Sequence, residues 1–202
     1  DKSLSIRWAL LSSQSLKKSK SSNLLLSEDV MSTLSCLKKL GVKIKISKNF
    51  CEITGLGLNG FRYRNNLILD AGNSGTLSRL ILGLLVHSKK EVKIKGDKSL
   101  SKRDFKRVIN PLKRFGAKFK SNYGKLPIKI CGTNYSKPIK YFENKGSAQC
   151  KSSVMFAALN TSGETIIKAK KSRDHSELLL KYLRIPIVVK KQTNFDIIKI
   201  KG

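Results

Sequence analysis

The chain has 202 residues, of which 40% are hydrophobic, so it can bury the core of one large domain or of two small ones. Lysines and arginines number 42 against 13 acidic residues, which gives a net charge of +29. No run of 18 apolar residues is present, so the sequence predicts no membrane span. The first residue is Asp1 with no apolar leader after it, and we interpret the chain as an excerpt of a longer protein.

The positive charge and the cysteines exclude several classes of protein. The excess charge is nearly all lysine, spread along every predicted element, and no aromatic ladder accompanies it, which disfavours a dedicated nucleic-acid-binding protein. A positive field of this kind still attracts small anions. The four cysteines have no C-x-x-C spacing, which argues against zinc and against a disulfide framework. We expect reduced thiols, no metal, no cofactor and a cytoplasmic location.

The first third of the chain predicts two helices and a hairpin. An apolar helix lies around 8–11, and a second helix begins in the polar segment 27–29. The segment LKKLGVKIKI (37–46) then leads through Gly41 into a strand, and a second strand ends at Gly55.

The middle third repeats this order and adds a strand before it. A β-run is followed by a Gly-Asn-Ser-Gly turn, and Thr76 opens an apolar helix that covers 80–86. The backbone N–H groups and positive dipole end of such a helix attract an anion. A strand at 92–95, a polar helix start at 102–104 and the segment LKRFGAKFK (112–120) follow, and the unit ends at Gly132.

The last third contains the same unit again. An apolar helix covers 154–159, a polar helix start lies at 172–174, and the segment LKYLRIPIVV (180–189) precedes a final strand that ends at Gly202. We call the residue between the second helix of a repeat and the strand that follows it the pivot. The pivots of the first two repeats are Gly41 and Gly116, and the third pivot is Arg184. The polar starts of all three second helices predict N-capping side chains.

These internal repeats predict the fold. The repeats cover approximately 1–60, 61–132 and 133–202, each with the order βαβαββ, and the first strand of the first repeat is absent. The first helices are apolar nearly all round, which predicts burial on every side. Apolar and polar residues alternate along the strands, which predicts that one face of each sheet is exposed to solvent. We therefore expect a single inside-out α/β domain with sheets outside and three buried parallel helices whose N-termini gather at one end.

The residues at these three N-termini form the candidate site. Hydroxyls, amides and cations suit a multiply charged anion, and the residues are Lys2, Ser3, Arg7, Asn73 to Arg79, Ser147, Ala148 and Gln149. The same serines and asparagines also have the chemistry of ordinary helix caps.

Five motifs in order resemble the 3-phosphoshikimate 1-carboxyvinyltransferases, or EPSP synthases. They are DKSLSIR at the start, LDAGNSGTLSRL (69–80), GDKSLSKR (96–103), GSAQCKS (146–152) and SRDHSE (172–177). The resemblance implies domains of three βαβαββ units, and it implies transfer of an enolpyruvyl group from phosphoenolpyruvate to the 5-hydroxyl of shikimate 3-phosphate. The site of this family lies between two such domains, so the resemblance also implies that a second domain is missing.

The resemblance assigns roles residue by residue. Lys2 and Arg103 match catalytic residues. The shikimate 3-phosphate contacts match Lys2, Ser3, Arg7, Ser147, Ala148, Gln149, Ser172 and His175. The phosphoenolpyruvate contacts match Lys2, Asn73, Gly75, Thr76 and Arg103. Gly75 lies where the inhibitor glyphosate needs a small residue, which implies sensitivity to it.

The sequence departs from the family at Asp104, where a proline is usual. Its carboxylate either tethers Arg103 or caps the next helix, and we favour the cap, as also for Asp29 and Asp174. We interpret His87 as structural and Cys150 as an inert packing residue.

A UDP-sugar enolpyruvyl transferase and an RNA- or anion-binding module on the same repeat remain alternatives. We expect a monomer.

Overall fold

The computed structural model describes residues 1–48 and 50–202. The helices are α1 Lys2–Ser12, α2 Glu28–Lys39, α3 Gly75–Leu84, α4 Lys98–Ser101, α5 Lys106–Arg114, α6 Ala148–Ala158 and α7 His175–Tyr182. A 3-10 turn, Leu85–His87, continues α3. No helix in the described ranges is long and apolar enough to cross a membrane.

The strands form three separate sheets. They are β1 Lys18–Ser22, β2 Lys43–Ile46, β3 Phe50–Thr54, β4 Leu67–Asp70, β5 Val92–Lys95, β6 Lys118–Asn122, β7 Lys125–Cys131, β8 Lys140–Glu143, β9 Glu164–Lys170, β10 Ile187–Lys191 and β11 Phe195–Lys201. The sheet orders are β1-β3-β2, β4-β5-β7-β6 and β8-β9-β11-β10. Each sheet therefore collects the strands of one sequence repeat.

The topology of the repeats agrees with the predicted βαβαββ order. In the third sheet β8 pairs parallel with β9, and α6 makes the crossover between them. The last two strands, β10 and β11, form an antiparallel hairpin. The second sheet begins in the same way, with a parallel pair of β4 and β5. The first sheet has three strands instead of four, as expected from the missing first strand.

Burial separates the two kinds of helix. In α6 every residue from Cys150 to Ala158 is buried, and α1 buries seven of its residues, from Ser5 to Ser12 with one exception. By contrast, α2 and α5 bury only one side, and α5 exposes charged residues such as Arg114. The prediction of apolar helices enclosed on nearly every side is confirmed.

The strands alternate as predicted. In β11 the buried residues are Asp196, Ile198 and Ile200, with the residues between them partly exposed. In β7 the even-numbered residues are buried. Because successive side chains of a strand point to opposite faces, each of these sheets packs one face against the core and exposes the other to solvent.

The glycine after each hairpin packs against the end of the first helix of its own repeat. A Cβ on Gly55 would lie 2.4 Å from the carbonyl oxygen of Ser12, and one on Gly132 would lie 2.4 Å from that of Val86. On Gly202 it would lie 2.3 Å from the carbonyl oxygen of Ala158. A side chain does not fit at such distances, so close packing against the helix end explains why glycine follows each hairpin.

The three pivots share one backbone conformation. Gly41 has φ +91° and Gly116 has φ +110°, and Arg184 has φ +56° at the matching position. Each follows the end of a second helix, where a left-handed residue commonly terminates the helix. The repeat imposes this conformation even where the residue is not glycine.

The chain divides into two compact units, and each is built from three separate segments. The first unit contains Asp1–Ser78, Lys90–Arg103 and Ser121–Lys129. The second unit contains Arg79–Lys89, Asp104–Lys120 and Ile130–Gly202. The single domain with gathered helix N-termini stays a prediction.

The predicted N-caps of the second helices are wrong in part. Ser27 and Asp174 occupy the N-cap positions of α2 and α7, but neither side chain makes the capping hydrogen bond. The helix α5 begins at Lys106, with Phe105 at its N-cap. The polar segments therefore predict where α2 and α7 begin, but not the capping hydrogen bonds of their side chains.

Candidate functional site

The N-terminus of α1 presents Lys2 beside a carboxylate. Asp1 caps the helix, because its Oδ1 accepts a hydrogen bond of 2.9 Å from Leu4 N. The half-exposed Lys2 side chain places Nζ 3.4 Å from Oδ2 of Asp29. Asp29 therefore holds an ion pair with Lys2, and its predicted role as a helix cap is wrong.

Arg7 lies one turn further along α1 and is 3% exposed. Its Nη1 donates a hydrogen bond of 3.0 Å to the carbonyl oxygen of Ser3. This bond brings together two of the three α1 residues that the resemblance assigned to shikimate 3-phosphate. A guanidinium that is held in place by the backbone is preorganised for a bidentate contact with an oxyanion.

The turn before α3 is built around Gly72 and Ser74. Gly72 has φ +54°, and Ser74 Oγ accepts a hydrogen bond of 3.2 Å from Leu77 N. The helix begins at Gly75, one residue before the predicted start at Thr76, and the side chain of Ser74 caps it. The helix N-terminus is nevertheless where the sequence placed it, with the Gly-Asn-Ser-Gly turn directly before it.

Asp70 anchors the start of the same turn. Its Oδ1 accepts a hydrogen bond of 2.9 Å from Gly72 N, and Lys95 Nζ lies 2.9 Å from Oδ2. The backbone hydrogen bond and the lysine together lower the pKa of Asp70 below its usual value. The carboxylate therefore stays ionised and fixes the turn to the neighbouring strand β5.

The loop before α4 is tied to this turn. Asn73 Nδ2 donates a hydrogen bond of 2.5 Å to Asp97 Oδ2, and Asp97 N donates one of 2.9 Å to the carbonyl oxygen of Gly72. Asp97 also caps α4, since Oδ1 accepts from Leu100 N at 2.7 Å. The structure thus brings together the two loops that the resemblance assigned to phosphoenolpyruvate.

Arg103 follows the short helix α4 and is exposed. Its positive charge contributes to the lowered pKa of Asp97, after the hydrogen bonds from Asn73 and from the backbone. Asp104, the next residue, accepts a hydrogen bond of 2.7 Å from Lys106 N at the start of α5. This bond supports the helix-start role that we favoured for Asp104 over a tether to Arg103.

In the second unit, Ser147 caps α6. Its Oγ accepts a hydrogen bond of 3.2 Å from Cys150 N. Its backbone N donates to Oε2 of Glu143 at 2.8 Å, and Glu143 is paired with Arg107 at 2.6 Å. Glu143 and Arg107 carry no signal in the sequence, because they lie outside the motifs and are 36 residues apart. They order the turn that presents Ser147, Ala148 and Gln149.

The start of α7 carries His175 and follows Ser172. His175 Nδ1 and Ser172 Oγ are buried atoms with no hydrogen-bond partner among the described residues. Buried polar atoms without partners are uncommon and call for an explanation. Two such atoms, three residues apart, indicate a segment whose polar groups suit a polar ligand.

Cys150 and His87 have the structural character predicted for them. Burial raises the pKa of the Cys150 thiol, so it is a poor nucleophile at neutral pH. His87 Nε2 lies 3.0 Å from the carbonyl oxygen of Ala157, and burial lowers its pKa. Neither residue is arranged for chemistry.

The predicted site residues fall into two groups. The first unit holds Lys2, Ser3, Arg7, Asn73, Gly75, Thr76 and Arg103. The second holds Ser147, Ala148, Gln149, Ser172 and His175. In each group, helix N-termini lie next to hydroxyls, amides or cations, an arrangement that binds anions.

The chain is similar along its whole length to a known family. The family model for EPSP synthase (3-phosphoshikimate 1-carboxyvinyltransferase) matches residues 1–202. The 3-phosphoshikimate 1-carboxyvinyltransferase of Ruthia magnifica is 45% identical over 192 residues, which are 95% of this chain and 44% of the relative. That of Caldicellulosiruptor saccharolyticus is 42% identical over 184 residues, 90% of this chain and 42% of the relative.

A solved structure agrees with these sequence matches. The EPSP synthase of Acinetobacter baumannii superposes with a TM-score of 0.89 and 33% sequence identity. The match covers 100% of this chain and 45% of that one. The chain therefore spans somewhat less than half the length of the relatives that it matches.

Proposed function

Because the chain belongs to the EPSP synthase (3-phosphoshikimate 1-carboxyvinyltransferase) family, we propose that it supplies about half of an enolpyruvyl-transferase active site. The reaction moves the enolpyruvyl group of phosphoenolpyruvate to the 5-hydroxyl of shikimate 3-phosphate and releases phosphate. In this proposal the chain binds both substrates, and a second domain completes the site.

The observation that carries the proposal is the construction of α1. Arg7 is 3% exposed, yet its guanidinium is fixed to the carbonyl oxygen of Ser3 rather than extended into water. A cation that the backbone holds in one place near a helix N-terminus is preorganised to bind an oxyanion. In this proposal the phosphate of the substrate lies at this helix N-terminus, with Ser3 as a neutral hydrogen-bond donor.

The two tied loops form the proposed phosphoenolpyruvate half-site. Asn73, Gly75 and Thr76 line it from the turn and the first residues of α3, and Arg103 clamps the substrate from beyond the end of α4. Lys2 reaches both substrates in this assignment. Its ion pair with Asp29 at 3.4 Å keeps the ammonium oriented without removing it from solvent.

The family resemblance assigns the other shikimate 3-phosphate contacts to the segments at the N-termini of α6 and α7. Ser147 and Gln149 bind from the N-terminus of α6, with Ala148 between them leaving room for the ring. Ser172 and His175 bind the phosphate from the start of α7, where Ser172 Oγ and His175 Nδ1 lack protein partners among the described residues.

The chemical steps divide between this chain and the second domain. Protonation of the phosphoenolpyruvate methylene, attack by the 5-hydroxyl at C2 and loss of phosphate need acid and base groups together with dense positive charge. This chain supplies positive charge through Lys2 and Arg103. The acid and base groups come from the second domain, so the chain alone is inactive in this proposal.

Three further properties belong to the proposal. The small Gly75 leaves the enzyme sensitive to glyphosate. Four free thiols support a cytoplasmic location, where such thiols persist. The working unit is a monomer.

A calorimetric titration tests the proposal. The purified chain is titrated with shikimate 3-phosphate at moderate salt, with inorganic phosphate and a short RNA as controls. We expect saturable binding that is selective over phosphate. Strong, salt-dependent RNA binding with no response to shikimate 3-phosphate would instead identify a nucleic-acid-binding module.

A further inference from the structure

The core of the second unit contains an ion pair that none of the proposed substrate contacts uses. Lys151 Nζ lies 2.5 Å from Glu177 Oε1, and the two side chains are 0% and 3% exposed. The contact lacks the angles of a hydrogen bond, and neither charged group has a hydrogen-bond partner among the described residues. The pair is therefore held by charge alone within the core.

A second link lies directly beside the first. Ser152 Oγ and Ser176 Oγ are 2.7 Å apart and buried. Consecutive residues of α6 are thus joined to consecutive residues of α7. Two adjacent links restrain both rotation and sliding of one helix start against the other, which a single contact cannot do.

The links lie next to the proposed substrate contacts. Lys151 follows Gln149 by two residues, and Glu177 follows His175 by two residues. Any displacement of α7 along α6 would therefore move His175 relative to Gln149. Both of these residues are proposed to contact the same substrate molecule.

Stability alone gives a poor reason for this pair. Two buried charges lose their hydration, and apolar residues of similar volume are often as stabilising or more so. Lys151 is also the fourth residue of α6, where the positive end of the helix dipole disfavours a cation. The cost is explained if the pair fixes a geometry that apolar packing would leave loose.

We propose that Lys151 and Glu177 are positioning residues that set the register between the N-termini of α6 and α7 for shikimate 3-phosphate. This inference rests on the proposed function. It assigns the two residues no contact with substrate and no part in the proton transfers.

The double variant Lys151→Met with Glu177→Leu is the decisive test. It replaces the pair with apolar side chains, so we expect a melting temperature equal to or above that of the unchanged chain. We expect its affinity for shikimate 3-phosphate to fall by about tenfold or more, since small misplacements of binding groups are costly. Full affinity in the stable double variant would overturn the proposal.

A matched control uses an exposed ion pair of the same unit. Lys199 Nζ lies 3.3 Å from Glu164 Oε1, with both side chains partly exposed. The double variant Lys199→Met with Glu164→Leu should leave the affinity unchanged. Neither double variant changes the net charge, so an equal loss of affinity in this control would show that the effect does not depend on the link between α6 and α7, and would count against a positioning role.

Amide hydrogen exchange separates failure of this inference from failure of the proposed function. If the unchanged chain does not bind shikimate 3-phosphate, the proposed function fails. The link between the two helices can then still be tested by amide exchange. Faster exchange at 147–150 and 172–176 in the Lys151→Met, Glu177→Leu variant supports the link. Unchanged exchange there overturns it without reference to any ligand.

Discussion

Asn73 Nδ2 and Asp97 Oδ2 are 2.5 Å apart, although 24 residues separate them in the chain. The carboxylate uses its other oxygen to accept from Leu100 N at 2.7 Å. One side chain therefore joins the turn before α3 to the cap of α4. Because Asn73 lies on this turn and Arg103 follows α4, the distance between their proposed substrate contacts depends on Asp97.

Replacing Asp97 with alanine should loosen both loops. The carboxylate accepts both hydrogen bonds and alanine accepts neither, so Asp97→Ala removes the tie, whereas asparagine could keep it by pairing with a turned Asn73 amide. We expect faster amide exchange at 72–77 and at Leu100, and a lower melting temperature. Glu164→Ala, at an exposed carboxylate, is the control and should change neither. Unaltered protection in Asp97→Ala would mean that Asp97 does not hold the loops.

Arg7→Ala should weaken binding of shikimate 3-phosphate far more than His87→Gln does. Arg7 is proposed to pair with the substrate, and loss of a charge-assisted contact reduces affinity by about tenfold or more. His87 contacts the carbonyl oxygen of Ala157, and glutamine can still donate there. Calorimetry on folded variants measures both. Equal effects would argue against placing the site at α1.

Stability should depend on pH through His87. Burial lowers the pKa of His87 in the folded chain below its usual 6.5, so the unfolded state binds the proton more readily. The stability that neutral His87 contributes is therefore complete above about pH 7.5 and is lost as pH falls through 6.5 toward the folded pKa. Urea unfolding midpoints from about pH 8 to about pH 5 measure this dependence.

The variant His87→Gln isolates that contribution, because glutamine does not titrate. Its unfolding midpoint should fall less steeply with pH than that of the unchanged chain. The same dependence of the unfolding midpoint on pH in both proteins would show that carboxylates, not His87, cause the loss of stability at low pH.

Arg184→Gly should stabilise the chain. Arg184 has φ +56°, a conformation that costs an L-residue about 1–2 kcal/mol, and glycine adopts it freely. Glycine also gains entropy in the unfolded state, so the net increase in unfolding free energy should be about 0.5 kcal/mol. Chemical denaturation measures it, with Arg184→Ala as the control that keeps the backbone strain.

The opposite change at the second pivot completes this test. Gly116 has φ +110°, and a Cβ there would lie 3.0 Å from Thr133 Cγ2. Gly116→Ala should therefore lower the unfolding free energy by about 1–3 kcal/mol. Stability gained at Gly116 or lost at Arg184 would contradict a shared left-handed pivot.

The repeated architecture was predictable from sequence because its signals are local. Glycine after a hairpin, alternation in β11 and an apolar stretch in α6 are properties of a few neighbouring residues. The family resemblance added the proposed ligand contacts, which stay predictions. The position of Ser147 at the N-cap of α6 and the hydrogen bond of Asp104 at the start of α5 agree with capping chemistry that is visible in the sequence.

The pairings between distant residues were not predictable. Asp29 was interpreted as a cap, because nothing local indicates that its carboxylate meets Lys2. Lys151 stands in a chain with an excess of lysine, so its burial had no signal in composition. Its partner Glu177 is 26 residues away, and only the packing of α7 on α6 brings the two charges together.

The residues that follow the hairpin-ending glycines compensate the C-terminal ends of two apolar helices. After Gly55, Leu56 N donates to Ser13 O at 3.0 Å, and after Gly132, Thr133 N donates to Val86 O at 2.8 Å. Each bond satisfies a carbonyl group at the negative end of a helix dipole with a group of the protein itself. An external charge that such a helix attracts is therefore an anion at its positive N-terminal end.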